Sequence, residues 1–157
     1  MKKSNFKKVL CLIAVLVIAV SLLLTACKPT VENEGVATVV VSGSKGTDVY
    51  EVPLGELENA TGAISALDYL KAKGKLDYTS ADSGFGAYLT KVGQVAEDPS
   101  KGIYVGIWTS VEKDFDTSDY ATTKTYNGKT LTFSGVGISQ MSLTDGCVIY
   151  IGEIIYN

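Results

Sequence analysis

Gly62-Ala63-Ile64-Ser65-Ala66-Leu67-Asp68-Tyr69-Leu70-Lys71-Ala72-Lys73 is where the hydrophobic period of this chain changes. Ala63, Ile64, Ala66, Leu67 and Leu70 fall three and four residues apart, the spacing of one helix face. Thr61 is placed to cap the start, Lys71 and Lys73 suit the negative end of the helix dipole, and Gly74 supplies a left-handed residue just past the end. No other stretch after the N-terminal region carries this period. A lone helix with an apolar stripe must lie on a sheet, so the expected fold class is α+β.

The flanking sequence reads as strands. Val36 to Ser42 and Thr47 to Pro53 are β-rich runs separated by Gly43-Ser44-Lys45-Gly46, a hairpin signal. After the helix, Thr79 to Gly86 reads as a polar, glycine-bearing turn, Ala87 to Val92 as a strand, and Asp98-Pro99-Ser100-Lys101-Gly102 as a loop. Ile103 to Val111 is the clearest strand. Its odd-numbered residues Ile103, Val105, Ile107, Thr109 and Val111 face one way, while Tyr104, Gly106, Trp108 and Ser110 face the other. Asn127-Gly128, between Thr123 to Tyr126 and Lys129 to Phe133, marks a two-residue type I′ hairpin. Asp145-Gly146 opens a last strand from Cys147 to about Tyr156, apolar on both faces and therefore expected in the middle of its sheet. The predicted order is β-β-α-β-β-β-β-β.

The N-terminus has a different logic. Lys2, Lys3, Lys7 and Lys8 precede an almost wholly apolar run from Val9 to Leu24, the pattern of a secretory signal. The run also approaches the roughly 17–25 residues that span a bilayer. Leu24-Thr25-Ala26-Cys27, followed at once by Lys28 and Pro29, favours the signal and resembles the lipobox of bacterial lipoproteins. That resemblance implies cleavage before Cys27 and a diacylglyceryl thioether on its sulfur. Two or more acyl chains, at about 0.8 kcal/mol per buried CH₂, hold a protein lastingly on a membrane. The expected organisation is a signal peptide over residues 1–26, a lipidated Cys27 with a short tether over 27–35, and one domain over 36–157. Residues 28–35 span at most about 25–30 Å when fully extended.

Composition narrows the function. Of 157 residues, 131 follow the 26-residue signal, enough for one core. Four of the 14 lysines lie in the signal and none of the 17 acids does, so the remainder carries ten lysines, no arginine and a formal charge of −7. With no basic cluster outside the signal, nucleic acid is not an expected partner. Histidine is absent and only Cys147 stays free in the domain. Ser/His/Asp and Cys/His catalysis and His/Cys zinc sites cannot be assembled from that set, and no paired-carboxylate motif stands out, so the chain is not expected to be an enzyme.

Three further segments carry a resemblance. Ala66-Leu67-Asp68-Tyr69-Leu70-Lys71-Ala72, then Gly84-Phe85-Gly86-Ala87-Tyr88-Leu89-Thr90-Lys91-Val92, then Gly135-Val136-Gly137-Ile138 with Leu143-Thr144-Asp145-Gly146 and an apolar strand, together resemble the transcobalamin-like C-terminal domain family over most of residues 36–157. The resemblance implies a β-grasp-like mixed or antiparallel sheet with one packed helix, and cobalamin or another corrinoid as ligand. With no histidine in the chain, such a cofactor would keep its own lower axial base. The chain departs from the family where adjacent aromatics are usual, since Tyr104 and Trp108 are separated. It departs again at an insertion around residues 112–127, and at Cys147, where an acidic residue is usual.

Tyr104, Trp108 and Phe115 are the candidate ligand-binding residues. Gly106 leaves a shallow gap between Tyr104 and Trp108, where a flat ligand would stack for roughly 0.5–1.5 kcal/mol per ring pair. The alternative is that a loop or helix of the domain covers this face. Asp114, Asp116 and Asp119 are candidate ligands for a hard cation, although their spacing lacks the glycine and closing glutamate of an EF-hand, and a solvated acidic loop is the simpler reading. Cys147 reads as a small buried hydrophobe.

The functional expectation is an extracytoplasmic, lipid-anchored protein of the bacterial cell membrane that binds a small molecule, cobalamin or another corrinoid, with a transporter or surface protein as a further partner. A cell-surface module that binds protein or glycan without a cofactor is the alternative. Replacing the thiol tests the anchor. Cys27→Ser is expected to abolish fatty-acid labelling of the protein in cells, and undiminished label on the variant would end the lipoprotein reading.

Overall fold

The computed structural model describes residues 28–83 and 86–156. The expected signal, Cys27, and Gly84 and Phe85 of the family-like motif lie outside the described residues.

A hairpin comes first: β1 (Val36–Gly43) pairs antiparallel with β2 (Gly46–Pro53), with Gly43 opposite Gly46 across the two-residue turn Ser44-Lys45. The helix α1 (Ile64–Ala72) follows, then β3 (Tyr78–Asp82), β4 (Ala87–Val92), β5 (Val95–Ala96), β6 (Ile103–Thr109), β7 (Thr123–Tyr126), β8 (Lys129–Phe133) and β9 (Val148–Ile155). The main sheet has the order β2-β1-β9-β6-β8-β7, and β3-β4-β5 form a smaller sheet of their own. Among these strands only β1 and β9 run parallel, and the other strand pairings are antiparallel. The last strand is central, as its two apolar faces predict. Asn127 (φ 47°) and Gly128 (φ 77°) both take the left-handed conformation that a type I′ turn requires.

The chain is α+β with one α-helix among the described residues, but seven strands follow that helix where five are expected. Residues 79–82, read as part of a turn, belong to the strand Tyr78–Asp82. It is an edge strand, exposed over most of its length, so it lacks the buried alternation that marks a strand in sequence. Its pairing with β4 shows in the Thr79 and Thr90 hydroxyls, 3.0 Å apart. Val95–Ala96 is too short to register. The expected cap at Thr61 is also absent: Ala63 occupies the N-cap with no side-chain cap, while the Thr61 N–H donates to Ser65 Oγ at 3.2 Å. The Ala63 N–H is met instead by the carbonyl of Met141 at 2.9 Å. Gly74 (φ 67°) ends the helix as predicted.

Residues 28–35 are not a free tether. Val31 bridges Leu143, the Leu143 N–H donates to Thr30 O at 2.8 Å, and the Glu32 N–H donates to Leu143 O at 2.9 Å. Further on, the Leu54 N–H donates to Gly35 O at 2.9 Å. Val31 packs against the main core, and that burial draws the segment onto the domain.

Strand alternation sorts the apolar residues onto two faces. Ala37, Val39 and Val41 of β1, Ile149 and Ile151 of β9, and Val105 of β6 meet Ala63, Ala66, Leu67 and Leu70 in the main core. Leu89, Val92 and Val95 close it from the small sheet, and Ile138, Met141 and Leu143 close it from the loop after β8. The other face holds a second cluster of Val40, Trp108, Leu131 and Val148. Among the described residues no helix is long and apolar enough to cross a membrane.

Leu67 is wholly buried at the middle of the helix stripe. Leu67→Ala is expected to cost about 2–5 kcal/mol through lost burial and a residual cavity, measured by denaturant melts. A change within about 0.5 kcal/mol, the scale of surface sites, would contradict this packing.

Candidate functional site

The site is built on β6. Gly106 stands opposite Gly152 of β9. A Cβ on Gly106 would lie 2.7 Å from Trp108 Cη2 and 2.5 Å from Ile154 Cγ1, and one on Gly152 would lie 3.0 Å from Tyr150 Cε1. The glycine pair thus makes room for the Trp108 indole and its neighbours. Phe133 and Tyr150 meet that ring edge-on, with centroids 5.5 and 5.9 Å away. Lys124 Nζ sits 4.9 Å from its centroid, and the indole N–H donates to Thr122 Oγ1 at 3.0 Å.

Trp108 is therefore only 2% exposed. The gap that Gly106 was expected to leave for a ligand is occupied by the protein's own indole and Ile154. The alternation of β6 is as predicted, but the far side of the strand is covered by its own neighbours in the sheet, and the expected stacking platform is a second core.

Tyr104 fares differently. β8 pairs with β6 only at Trp108 and Thr109, so the stretch of β6 around Tyr104 and Val105 has no β8 partner on that side. There Tyr104 lines a groove of about 440 Å³ with Tyr88, Gly102, Val105, Phe133, Ile154 and Tyr156. A smaller recess of about 150 Å³ shares Tyr88, Val105 and Phe133 and continues past Ile107 and Val136. Tyr104 packs edge-on against Tyr156, centroids 5.7 Å apart, and Tyr156 is 65% exposed. The Tyr88 hydroxyl donates to Glu97 Oε2 at 3.0 Å; burial first, and that hydrogen bond second, push its phenol above the ordinary value. Among the described residues the groove walls are aromatic and aliphatic with no ionisable group besides the tyrosines, suited to a flat, largely uncharged ligand.

Phe115 does not join this groove. It is half-buried and bridges Ser134 through its backbone. The three aspartates do not share a site either. Asp114 is 4% exposed, and its carboxylate accepts the Ser142 N–H at 2.6 Å and the Ser142 hydroxyl at 3.2 Å. Asp116 accepts the N–H and hydroxyl of Ser118, at 2.8 and 3.0 Å, within its own turn. Asp119 is exposed. The loop is thus not simply solvated: its first acid is a buried clamp, because two donors on Ser142 replace the lost hydration. Among the described residues no group of three or more His, Cys, Asp or Glu comes together. Cys147 is buried, and burial pushes its thiol up.

Tyr88, Phe133, Ile154 and Tyr156 escape a reading of the sequence because they come from β4, β8, β9 and the residue just past β9. The pairing of Tyr104 with Ile154 and of Gly102 with Tyr156 brings in two of them, the pairing of Trp108 with Phe133 a third, and β4 the fourth.

No family model matches the chain, and no curated protein matches it. Among solved structures the chain is similar to one from Ruminococcus gnavus ATCC 29149 described as a "putative metal binding protein". The two share 17% identity with a TM-score of 0.50, over 79% of this chain and 100% of the other. At that identity the likeness shows the fold alone.

The buried indole gives a direct test. Trp108→Ala is expected to cost about 3–5 kcal/mol of stability, and the emission of this single tryptophan should be blue-shifted in the folded protein. A melting curve left in place by the substitution would return Trp108 to the surface.

Proposed function

We propose that this chain is an extracytoplasmic lipoprotein, anchored through Cys27, that holds a small molecule in the aromatic groove at Tyr104. The observation that carries the reading is the groove itself, an open cleft walled by Tyr88, Tyr104, Phe133 and Tyr156. Cobalamin or another corrinoid is the ligand class that the family resemblance implies. The β-β-α opening and the central parallel pair of β1 and β9 support the β-grasp-like reading that accompanies it. A lipid on Cys27 would lie one residue before Lys28, and Thr30 is already bonded to Ser142. The domain would then sit against the bilayer with the ends of β1 and β6 nearest Ser142 facing down. Seven residues of β6 at about 3.3 Å each lift the groove roughly 20 Å toward the medium, within reach of a transporter or surface protein.

The metal-binding description of the Ruminococcus gnavus protein is not carried over, because Asp114 and Asp116 are engaged with Ser142 and Ser118.

The purified protein mixed with cyanocobalamin is expected to carry the visible spectrum of the cofactor through gel filtration. Tyr104→Ala should weaken that binding about tenfold with a stability change below about 1 kcal/mol. Failure across corrinoids, with a glycan or protein captured at the same residues, would favour an interaction module without a cofactor.

A further inference from the structure

The groove contains one polar element that belongs to the backbone. Alternate residues of a strand send their peptide groups to opposite edges. Gly102 O accepts the Tyr156 N–H at 2.9 Å, and the Ser110 N–H donates to Val148 O at 3.1 Å, so Tyr104, Gly106 and Trp108 between them face β9. The odd-numbered residues face outward. Ile103 exchanges both of its bonds with Asp98, at 3.0 and 2.9 Å, Ile107 O accepts the Ser134 N–H at 2.9 Å, and Thr109 lies opposite Thr132. Val105, midway along, has no strand or turn paired with it on that side among the described residues. It is 8% exposed and lines both the groove and the recess. A peptide donor and acceptor without a protein partner must be met by solvent or by a ligand.

The space beside Val105 is short. Asp98 closes it at Ile103 and Ser134 closes it at Ile107, about 13 Å apart at roughly 3.3 Å per residue. Both closures are backbone, so an incoming β-strand would collide at each end. A group that fits must enter end-on and offer a donor and an acceptor on one side. A trans secondary amide points them in opposite directions, and a carboxylate lacks the donor. A primary carboxamide meets both demands.

We propose that the Val105 peptide edge is the polar recognition element of the groove and binds a primary carboxamide. The Val105 N–H donates to the carboxamide oxygen and Val105 O accepts from its NH₂, while Tyr104 and Phe133 cover the attached apolar body. This rests on the groove being the ligand site, and it deepens that reading, because the rim of a corrin ring carries such carboxamides.

The test uses the purified ¹⁵N-labelled full chain in detergent micelles, with benzamide and N,N-dimethylbenzamide as probes. In the free protein the Val105 amide is expected to exchange with solvent faster than those of Tyr104 and Gly106. Benzamide should move the Val105 resonance downfield and slow its exchange, and the dimethyl analogue, which has no N–H, should bind about tenfold more weakly. A protected Val105 amide in the free protein would overturn the proposal. So would equal binding of the two probes with shifts confined to the tyrosine rings, an outcome that leaves the groove reading standing. A capped tripeptide that protects Val105 better than benzamide would replace the carboxamide with a strand. No response at Tyr104 or Val105 to any probe, cyanocobalamin included, would remove the groove as a site altogether.

Discussion

The register between β6 and β9 is the constraint on which the rest of the structure depends. It sets Gly106 against Gly152, and only two residues without side chains, side by side, leave the space into which the Trp108 indole and Ile154 pack. The same register sends Val105 and Ile107 to the helix side together with Ile149 and Ile151. A slip of one residue would turn every one of these side chains to the wrong face. It would drive Trp108 toward the helix and strip the second cluster of its centre.

A chain of hydrogen bonds joins segments remote in sequence below that sheet. Ser142 donates twice to Asp114 and accepts the Thr30 N–H at 3.1 Å on its hydroxyl. Three loops are thereby joined around one serine, and each polar group replaces hydration that the others have lost. Lys113 adds to this by reaching the Thr30 hydroxyl. The N-terminal segment is a structural part of the domain because this polar cluster and the packing of Val31 act together.

The elements legible in the sequence are those whose signal is local. The three-and-four spacing around Leu67, the Asn127-Gly128 turn and the two-faced apolar run after Cys147 depend on neighbours within a few residues, and each appears in the structure. What escaped depends on partners far along the chain. Alternation in β6 tells which way Trp108 points, but Phe133, Tyr150 and Lys124 decide whether anything lies over it. Residues 79–82 look like a turn because an edge strand has little apolar burial to reveal it. Asp114 looks solvated until Ser142 is placed beside it. Tyr104 was singled out for a stacking role with Trp108, yet the groove it lines is built with Tyr88 and Tyr156 instead.

The position of β9 has a kinetic meaning. It is the last strand in sequence and the third in space, between β1 and β6. As the chain is made, the β1–β2 and β7–β8 hairpins can zip up locally, but the two halves of the main sheet share no strand until residues 148–155 are free. Joining β1 to β9 then closes a loop of about a hundred residues, a slow, high-contact-order step. Until it happens the inner edges of β1 and β6 are open templates for another copy of the chain. The main sheet is completed by a single closure that depends on β9, so its two halves stay apart, and their inner edges in need of protection, until residues 148–155 are in place.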